Sequence, residues 1–341
     1  MTDSFDFEEF YKLLCQLVEA PSPSGYEENA QQIIYDITKE YADEIFYDDL
    51  HNLVVKQNGE LLDTIMIVAH IDEVGLIVKH IDSDGFLYFS NIGGIDFCQL
   101  PGTRVNVCHD GKNFGGVIGR KSFHHLDSAE KGCVKSDSLW IDTGLKSEMT
   151  IDIGDVVSFA SSPFLINNMI CTHSADNKVG VCILALLMRI TYQNKKRPTL
   201  VFVFTVQEEI GYRGAFSITN SLRPDKAIVI DAALATDYPG IDLARIGQIS
   251  LNGGLVISVS PDIDKSLRKD LIILCNENKI KYQLEIRGNG CNMETQTVQL
   301  AGNGTRVVSV SYPIRYMHSP SELVAIPDIR DCFQLLLNLL R

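Results

Sequence analysis

Two rhythms of apolar residues alternate along the chain. One is the three-and-four spacing of an amphipathic helix, and the other is the short unbroken run of a buried strand. Phe10, Leu13, Leu14 and Leu17 share a helical face that stops at Pro21-Ser-Pro-Ser-Gly25, and Ala30, Ile33, Ile34, Ile37 and Tyr41 form a second. Thr64–Ala69 is nearly all apolar and runs into His70-Ile-Asp72-Glu-Val-Gly75. Leu200–Phe204 runs into Thr205-Val-Gln-Glu208-Glu209-Ile-Gly211, and Ala227–Ile230 into Asp231. Such β-branched and aromatic runs predict strands buried on both faces, as in a parallel sheet. Helical spacing returns in Val179, Ile183, Leu186, Leu187 and Ile190, over Lys265–Asn278, near Glu294–Leu300, and in a last helix from Ile329 to Leu340. Leu255–Val259, Tyr282–Ile286 and Arg306–Val310 read as further strands.

From about Gly75 to Phe164 the texture changes. Short alternating runs such as Phe86-Leu-Tyr-Phe, Arg104-Val-Asn-Val and Asp155-Val-Val-Ser-Phe are separated by Gly, Asp, Asn and Pro, with no long amphipathic helix between them. This predicts a small β-barrel or sandwich (75–164) inserted into an α/β domain made of 1–74 and 165–341. His109, His124 and His125 fall in the insert and read as surface or structural residues, with Ser122-Phe-His-His on a loop.

Composition narrows the function classes. A net charge of −14 over 341 residues argues against a nucleic-acid partner. No apolar run approaches the roughly 20 residues that cross a bilayer, and the acidic N-terminus has no signal-peptide pattern, so a cytoplasmic protein without membrane contact is expected. Nine cysteines are scattered without a CxxC pair, which points to reduced thiols. Any metal should therefore be sought among His, Asp and Glu.

Those residue types stand where the strands end. In open α/β sheets ligands bind beyond the carboxyl ends of the strands. His70, Glu208 with Glu209, Asp231 and His318 lie at such exits, and Asp176 precedes a helix. Singly, each has a plain structural reading: an acidic turn, a satisfied histidine, or for Asp176 a helix N-cap. Converging on one sheet edge, two histidines and several carboxylates suit a pair of divalent ions such as zinc, cobalt or manganese. Asp72 points to the same side as His70 in extended chain and could orient its imidazole.

Several stretches together resemble the tetrahedral-type (glutamyl/deblocking) aminopeptidases and endoglucanase-like metallopeptidases. They are Ala69–Gly75, Ser174-Ala-Asp176-Asn-Lys-Val-Gly180, Val206–Ala215, Ile230-Asp231 with Ala235–Gly240, and Arg315-Tyr-Met-His318-Ser-Pro320, together with Leu17–Glu27, Gly93-Gly and Ile153-Gly-Asp-Val. The resemblance implies a mixed sheet flanked by helices, zinc-aminopeptidase-like, with the barrel used in dimer contacts. It implies two divalent ions per subunit, zinc or cobalt with manganese possible. Asp176 would bridge them, His70 and Asp231 would complete one, and Glu209 and His318 the other. Glu208 would be the general base and Asp72 the partner of His70. Peptide substrates and a homo-oligomer, dimers assembling to a twelve-subunit shell, are implied as well.

The chain departs from that pattern in one place. Asn289-Gly290-Cys291-Asn292-Met293 stands where the family usually has Gly-Gly-Thr-Asp-Ala, which keeps a specialised or inactive relative in view. Cys171-Thr-His173-Ser is also atypical and brings His173 toward the same edge. A glycoside hydrolase would need two acids, but gives His70 and His318 no task and finds only Trp140 as a tryptophan platform. Lys178, Arg213, Arg245 and Arg315 are the motif-adjacent cations that an acidic substrate side chain would require.

Overall fold

In the computed structural model, which describes residues 5–127, 134–144, 150–291 and 293–341, these rhythms settle into one large sheet and one closed barrel. Helix α1 (Phe7–Val18) starts where the Asp6 carboxylate accepts the Glu9 amide, and it buries Phe10, Leu13, Leu14 and Leu17. Helix α2 (Glu28–Thr38) and strands β1 (Glu44–Tyr47), β2 (Leu53–Gln57) and β3 (Leu61–His70) follow. The barrel strands are β4 (Gly75–Ile81), β5 (Leu87–Ile92), β6 (Arg104–His109), β7 (Lys112–Arg120), β8 (Leu139–Asp142) and β9 (Val156–Phe159). The chain then re-enters the sheet with β10 (Phe164–Ile166) and β11 (Met169–Thr172), α3 (Ala175–Thr191), β12 (Pro198–Thr205), α4 (Arg213–Leu222) and β13 (Lys226–Leu234). It ends with α5 (Leu243–Ile246), β14 (Leu255–Val259), α6 (Lys265–Asn278), β15 (Tyr282–Ile286), α7 (Thr295–Leu300), β16 (Arg306–Arg315), β17 (Glu322–Ala325) and α8 (Ile326–Leu340).

Among the described residues eleven strands share the sheet, in the order β1-β2-β12-β3-β13-β16-β17-β11-β10, with β14 and β15 branching at β16. The centre, β12-β3-β13-β16, is parallel, while β2 joins β12, β17 joins β16 and β11 joins β17 by antiparallel pairing, so the sheet is mixed as expected. Helix α3 is apolar around almost its whole circumference because it packs on β3 and β13 while α1 and α8 cover it. Strands β13 and β16 run further than their apolar cores predict. Their ladder continues from Asp231↔Ser311 to Leu234↔Ile314, so Asp231 lies inside a strand rather than at its end.

The barrel closes in the order β4-β5-β8-β7-β6-β9, which leaves no free edge, and encloses its own apolar core of Leu76, Val78, Leu87, Phe89, Val105 and Val107. His109 is held there by Asp155 at 3.0 Å, while His124 and His125 lie in an exposed turn. None of the described helices is long and apolar enough to cross a membrane.

Candidate metal centre and active site

The parallel core aims the carboxyl ends of its strands at one edge. His70 closes β3 level with Thr205, the last residue of β12, and Glu208 and Glu209 follow just beyond. Val229 pairs with Val68, so the same register two residues on brings Asp231 level with His70. His318 lies past the end of β16 in a turn with positive φ. Asp176 arrives from the start of α3, but Ser174 occupies the cap position there and Asp176 itself is non-helical (φ −82°, ψ 101°). Its carboxylate meets the histidines instead of capping the helix.

The distances divide the cluster into two halves that meet at Asp176. Asp176 Oδ1 is 3.2 Å from His70 Nε2, and Asp231 Oδ1 is 3.6 Å from the same nitrogen. Asp176 Oδ2 is 3.5 Å from His318 Nε2, and Glu209 Oε1 is 3.1 Å from it. One carboxylate thus offers an oxygen to each histidine–carboxylate pair. Both imidazoles have Nδ1 committed: His70 Nδ1–H donates to the Asp72 carbonyl (3.2 Å) and His318 Nδ1–H to the Gly94 carbonyl (2.8 Å). That leaves Nε2 facing the carboxylates, as in a histidine metal ligand. Gly94 comes from the barrel side, and its neighbour Gly93 (φ +74°) has no room for a side chain, since an added Cβ would lie 2.9 Å from Val74 Cγ1 and 3.3 Å from Glu209 Cβ.

The donor set fits divalent cations. Ligand atoms of His70, Glu208 and Asp231 lie within 4.8 Å of one another, as do those of His70, Asp176 and Glu209. Glu209 Oε1 is buried and has no hydrogen-bond partner among the described residues. Its 3.1 Å approach to His318 lacks hydrogen-bonding geometry, which leaves a lone pair for a cation.

Buried groups behind the ligands fix the backbone. Asp72 Oδ1 accepts the Glu208 amide (3.0 Å), and Oδ2 accepts the Glu209 amide (3.1 Å) and the Ser24 hydroxyl (2.6 Å). Its carboxylate is 3.6 Å from His70 Nδ1, so Asp72 holds the glutamate pair as much as the histidine. Lys178 is fully buried and donates to the Ser22 hydroxyl and the Ile71 carbonyl, between His70 and Asp72.

The six cluster residues line a cavity of about 340 Å3 with Tyr212, Leu234, Arg287, Cys291, Met293 and Met317 in its wall. Cys291 and Met293, the flanks of the departure from the family pattern, therefore face the site; Asn292 itself lies outside the described residues. The motif-adjacent cations are placed elsewhere. Lys178 is locked in its network, Arg315 pairs with Asp237 (Nε to Oδ1 2.8 Å, Nη2 to Oδ2 2.6 Å), and neither Arg213 nor Arg245 is in the wall. His173 is buried against Ser161 and Phe159, away from the cavity. Arg287, which no motif announces, is the cation that lines the wall among the described residues, and Glu285 pairs with it at 2.7 Å.

Protons collect in this cluster when no cation is present. Burial opposes charge on His70, but Glu208, Asp176, Asp231 and Asp72 together hold it well above its ordinary pKa. Burial opposes charge on His318 too, and Asp176 with Glu209 push it up to about 12. Burial pushes Glu208 well up, reinforced by Asp231, Glu209 and Glu294 against His70.

Residues 51–335 match the family described as M42 glutamyl aminopeptidase. The chain belongs to that family. The lysyl aminopeptidase of Pyrococcus furiosus is 30% identical over 334 residues, covering 95% of this chain and 95% of its own. A solved TET aminopeptidase from the marine sediment archaeon Thaumarchaeota archaeon SCGC AB-539-E09 matches with a TM-score of 0.92 at 27% identity, covering 98% of this chain and 96% of its own. The TET1 peptidase of Pyrococcus horikoshii, which can assemble into a tetrahedron or a large octahedral shell, matches at 0.87 and 27% identity over 97% of this chain and 99% of its own.

This M42 peptidase chain also buries Glu294, a carboxylate that sequence reasoning passed over. It is fully buried, and neither oxygen reaches hydrogen-bonding geometry with a donor among the described residues. Burial pushes its pKa up to about 8, with His70 and Thr205 pulling down and Asp231 and Asp72 pushing up. An unfolded glutamate titrates near about 4.3. The folded chain thus keeps a proton that the unfolded chain releases, and the resulting stabilisation is complete below about pH 4.3 and lost as pH rises through 8. In chelator-treated protein, Glu294→Gln should be no more stable than the parent at pH 5 but more stable at pH 9, by on the order of a few kcal/mol. Denaturant melts at the two pH values check this; an equal difference at both would place the charge elsewhere.

Proposed function

We propose that the chain is a metal-dependent aminopeptidase holding two divalent ions, zinc or cobalt with manganese a third fit, on either side of Asp176. The observation that carries this is the division of Asp176's oxygens, Oδ1 toward His70 and Asp231, Oδ2 toward His318 and Glu209. Once bound, the ions would supply Lewis acidity toward a peptide carbonyl and toward water. Glu208 lines the cavity beside His70 and Asp231 and serves as general base: its carboxylate takes a proton from the attacking water and returns it to the departing amine. Asp72 keeps Glu208 and Glu209 facing different ways by holding their amides. Leu234, Cys291, Met293 and Met317 give the first residue's side chain an apolar wall, and Arg287 is already paired with Glu285. Uncharged first residues are therefore favoured.

The test is a panel of free-amino aminoacyl substrates, their N-acetylated counterparts and a soluble cellulose, with protein stripped of metal and reloaded with cobalt, zinc or manganese. Release from the free-amino panel alone, abolished by stripping and restored by reloading, is expected. Cleavage of cellulose would favour the glycosidase reading. Silence with two ions bound would point to the Cys291–Met293 segment and a specialised relative.

Residues 75–164 would act as a dimerisation domain, with dimers building a closed homo-oligomeric shell that admits peptides. The closed barrel and the shells formed by the Pyrococcus horikoshii relative support this. The described cysteines are all free thiols, which fits a reducing cytoplasm.

A further inference from the structure

We propose that Glu322 is a positioning residue for the second cation half, Glu209–His318–Asp176, acting through the backbone amides of Asp176 and His318. The inference rests on the two-cation reading above.

Glu322 opens β17 and is 1% exposed. Its Oε2 accepts the Asp176 amide at 3.1 Å, and its Oε1 accepts the His318 amide at 2.6 Å. Both amides belong to irregular segments. Ser174, Tyr316 and His318 have φ of 55°, 60° and 62°, a region L-residues occupy only when their surroundings hold them there. Among the described residues no strand ladder reaches Asp176 or His318, and the Glu322 carboxylate ties the two turns directly to each other. The separation it governs is the 3.5 Å between Asp176 Oδ2 and His318 Nε2.

Asp72 does the corresponding work across the cavity, where its two oxygens take the amides of Glu208 and Glu209. The two carboxylates differ in reach. Asp72 also lies against His70, whereas the hydrogen bonds of Glu322 go to main chain. His70 and Asp231 are meanwhile carried by β3 and β13, whose ladders do not involve Glu322. Loss of the Glu322 clamp should therefore fall more heavily on the second cation, which loses the placement of both Asp176 and His318, than on the first, which shares only Asp176.

A glutamine at 322 accepts one amide and turns its own N–H2 against the other. In Glu322→Gln the second cation should lose about 10- to 100-fold in affinity, and the first, which shares only Asp176, should lose clearly less. Activity should recover as free cation is raised. The measurement is titration of the chelated full chain with cobalt, followed by absorption, and with zinc by equilibrium dialysis. Unchanged affinity at both sites overturns the proposal, and so does equal loss at both, which a merely structural role would produce. A parent protein that binds one cation would instead overturn the two-cation reading.

Two further measurements guard against a variant that fails to fold. Glu322→Asp keeps a carboxyl with both oxygens on a shorter arm and should lie between parent and glutamine. In the unaltered protein, hydrogen exchange of peptides spanning 173–178 and 316–320 should be slow despite their irregular backbone. Exchange as fast as in an exposed loop overturns the clamp.

Discussion

Replacing Glu208 by glutamine should lower kcat/KM by about 10^3-fold or more while two cations remain bound, because a general base contributes of that order and the amide cannot take a proton. The substitution preserves size. The backbone at 208 stays anchored, since it is the Glu208 amide and not its side chain that donates to Asp72 Oδ1. Distance alone does not separate Glu208 from Glu209, because each sits in a triplet with His70. The two differ in their other partners: Glu208 groups with Asp231, while Glu209 reaches His318 and, in its triplet, Asp176. Glu209→Gln should accordingly remove a cation, and Glu208→Gln should not. Metal analysis of dialysed protein beside steady-state kinetics distinguishes them. A Glu208→Gln enzyme that keeps its turnover has its base elsewhere, and one that loses a cation shows Glu208 to be a ligand. The pH profile adds a second reading: the acid limb of kcat in the parent should flatten in the variant.

The strand exits were legible because a buried parallel strand is apolar throughout, so the first charged residue after it is conspicuous. His70 and the Glu208–Glu209 pair were found that way, and their register confirms the shared edge. Asp176 was legible only as a helix-start carboxylate. Its place between the halves rests on the family resemblance, and its non-helical backbone sets aside the alternative reading as an N-cap. A carboxylate that interrupts the apolar run predicts a strand end at Asp231, although β16 carries the ladder four pairs from Asp231↔Ser311 to Leu234↔Ile314. Glu322, Glu294 and Arg287 had no signal at all. Each owes its role to groups far away in sequence: Glu322 to the Asp176 amide, Glu294 to the charges around His70, and Arg287 to the folding of β15's end onto the cavity. In the barrel, alternation announced strands, while the order β4-β5-β8-β7-β6-β9 follows only from closure.

Asp176→Asn should abolish binding of at least one cation and lower kcat/KM by more than about 10^3-fold, since the amide keeps an oxygen for one half and turns its N–H2 against the other. The metal-free protein supplies a sharper form of this prediction. Burial would raise the Asp176 carboxyl, but the His318 and His70 imidazoliums hold it below the usual carboxylate range. A lowered carboxylate pKa stabilises the fold above the unfolded value near about 3.9 and loses that contribution as pH falls further. His318 carries the opposite sign. Its raised pKa stabilises fully below the unfolded value near about 6.5, and this declines as pH climbs toward 12. The charged pair therefore stabilises the chelated protein most between about pH 4 and 6.5. Asp176→Asn should destabilise the chelated protein most in that window and progressively less toward pH 9. A cation must displace the protons on His70 and His318, so apparent affinity in the parent should rise by about tenfold per pH unit for each proton released. In the asparagine variant the slope should be shallower, because His318 loses one of the two carboxylates that raise it. Thermal melts of chelated protein across pH, with cation titrations at pH 6 and 8, test both limbs. A destabilisation that does not vary with pH, or an affinity indifferent to pH in the parent, would show that Asp176 does not join the two histidines.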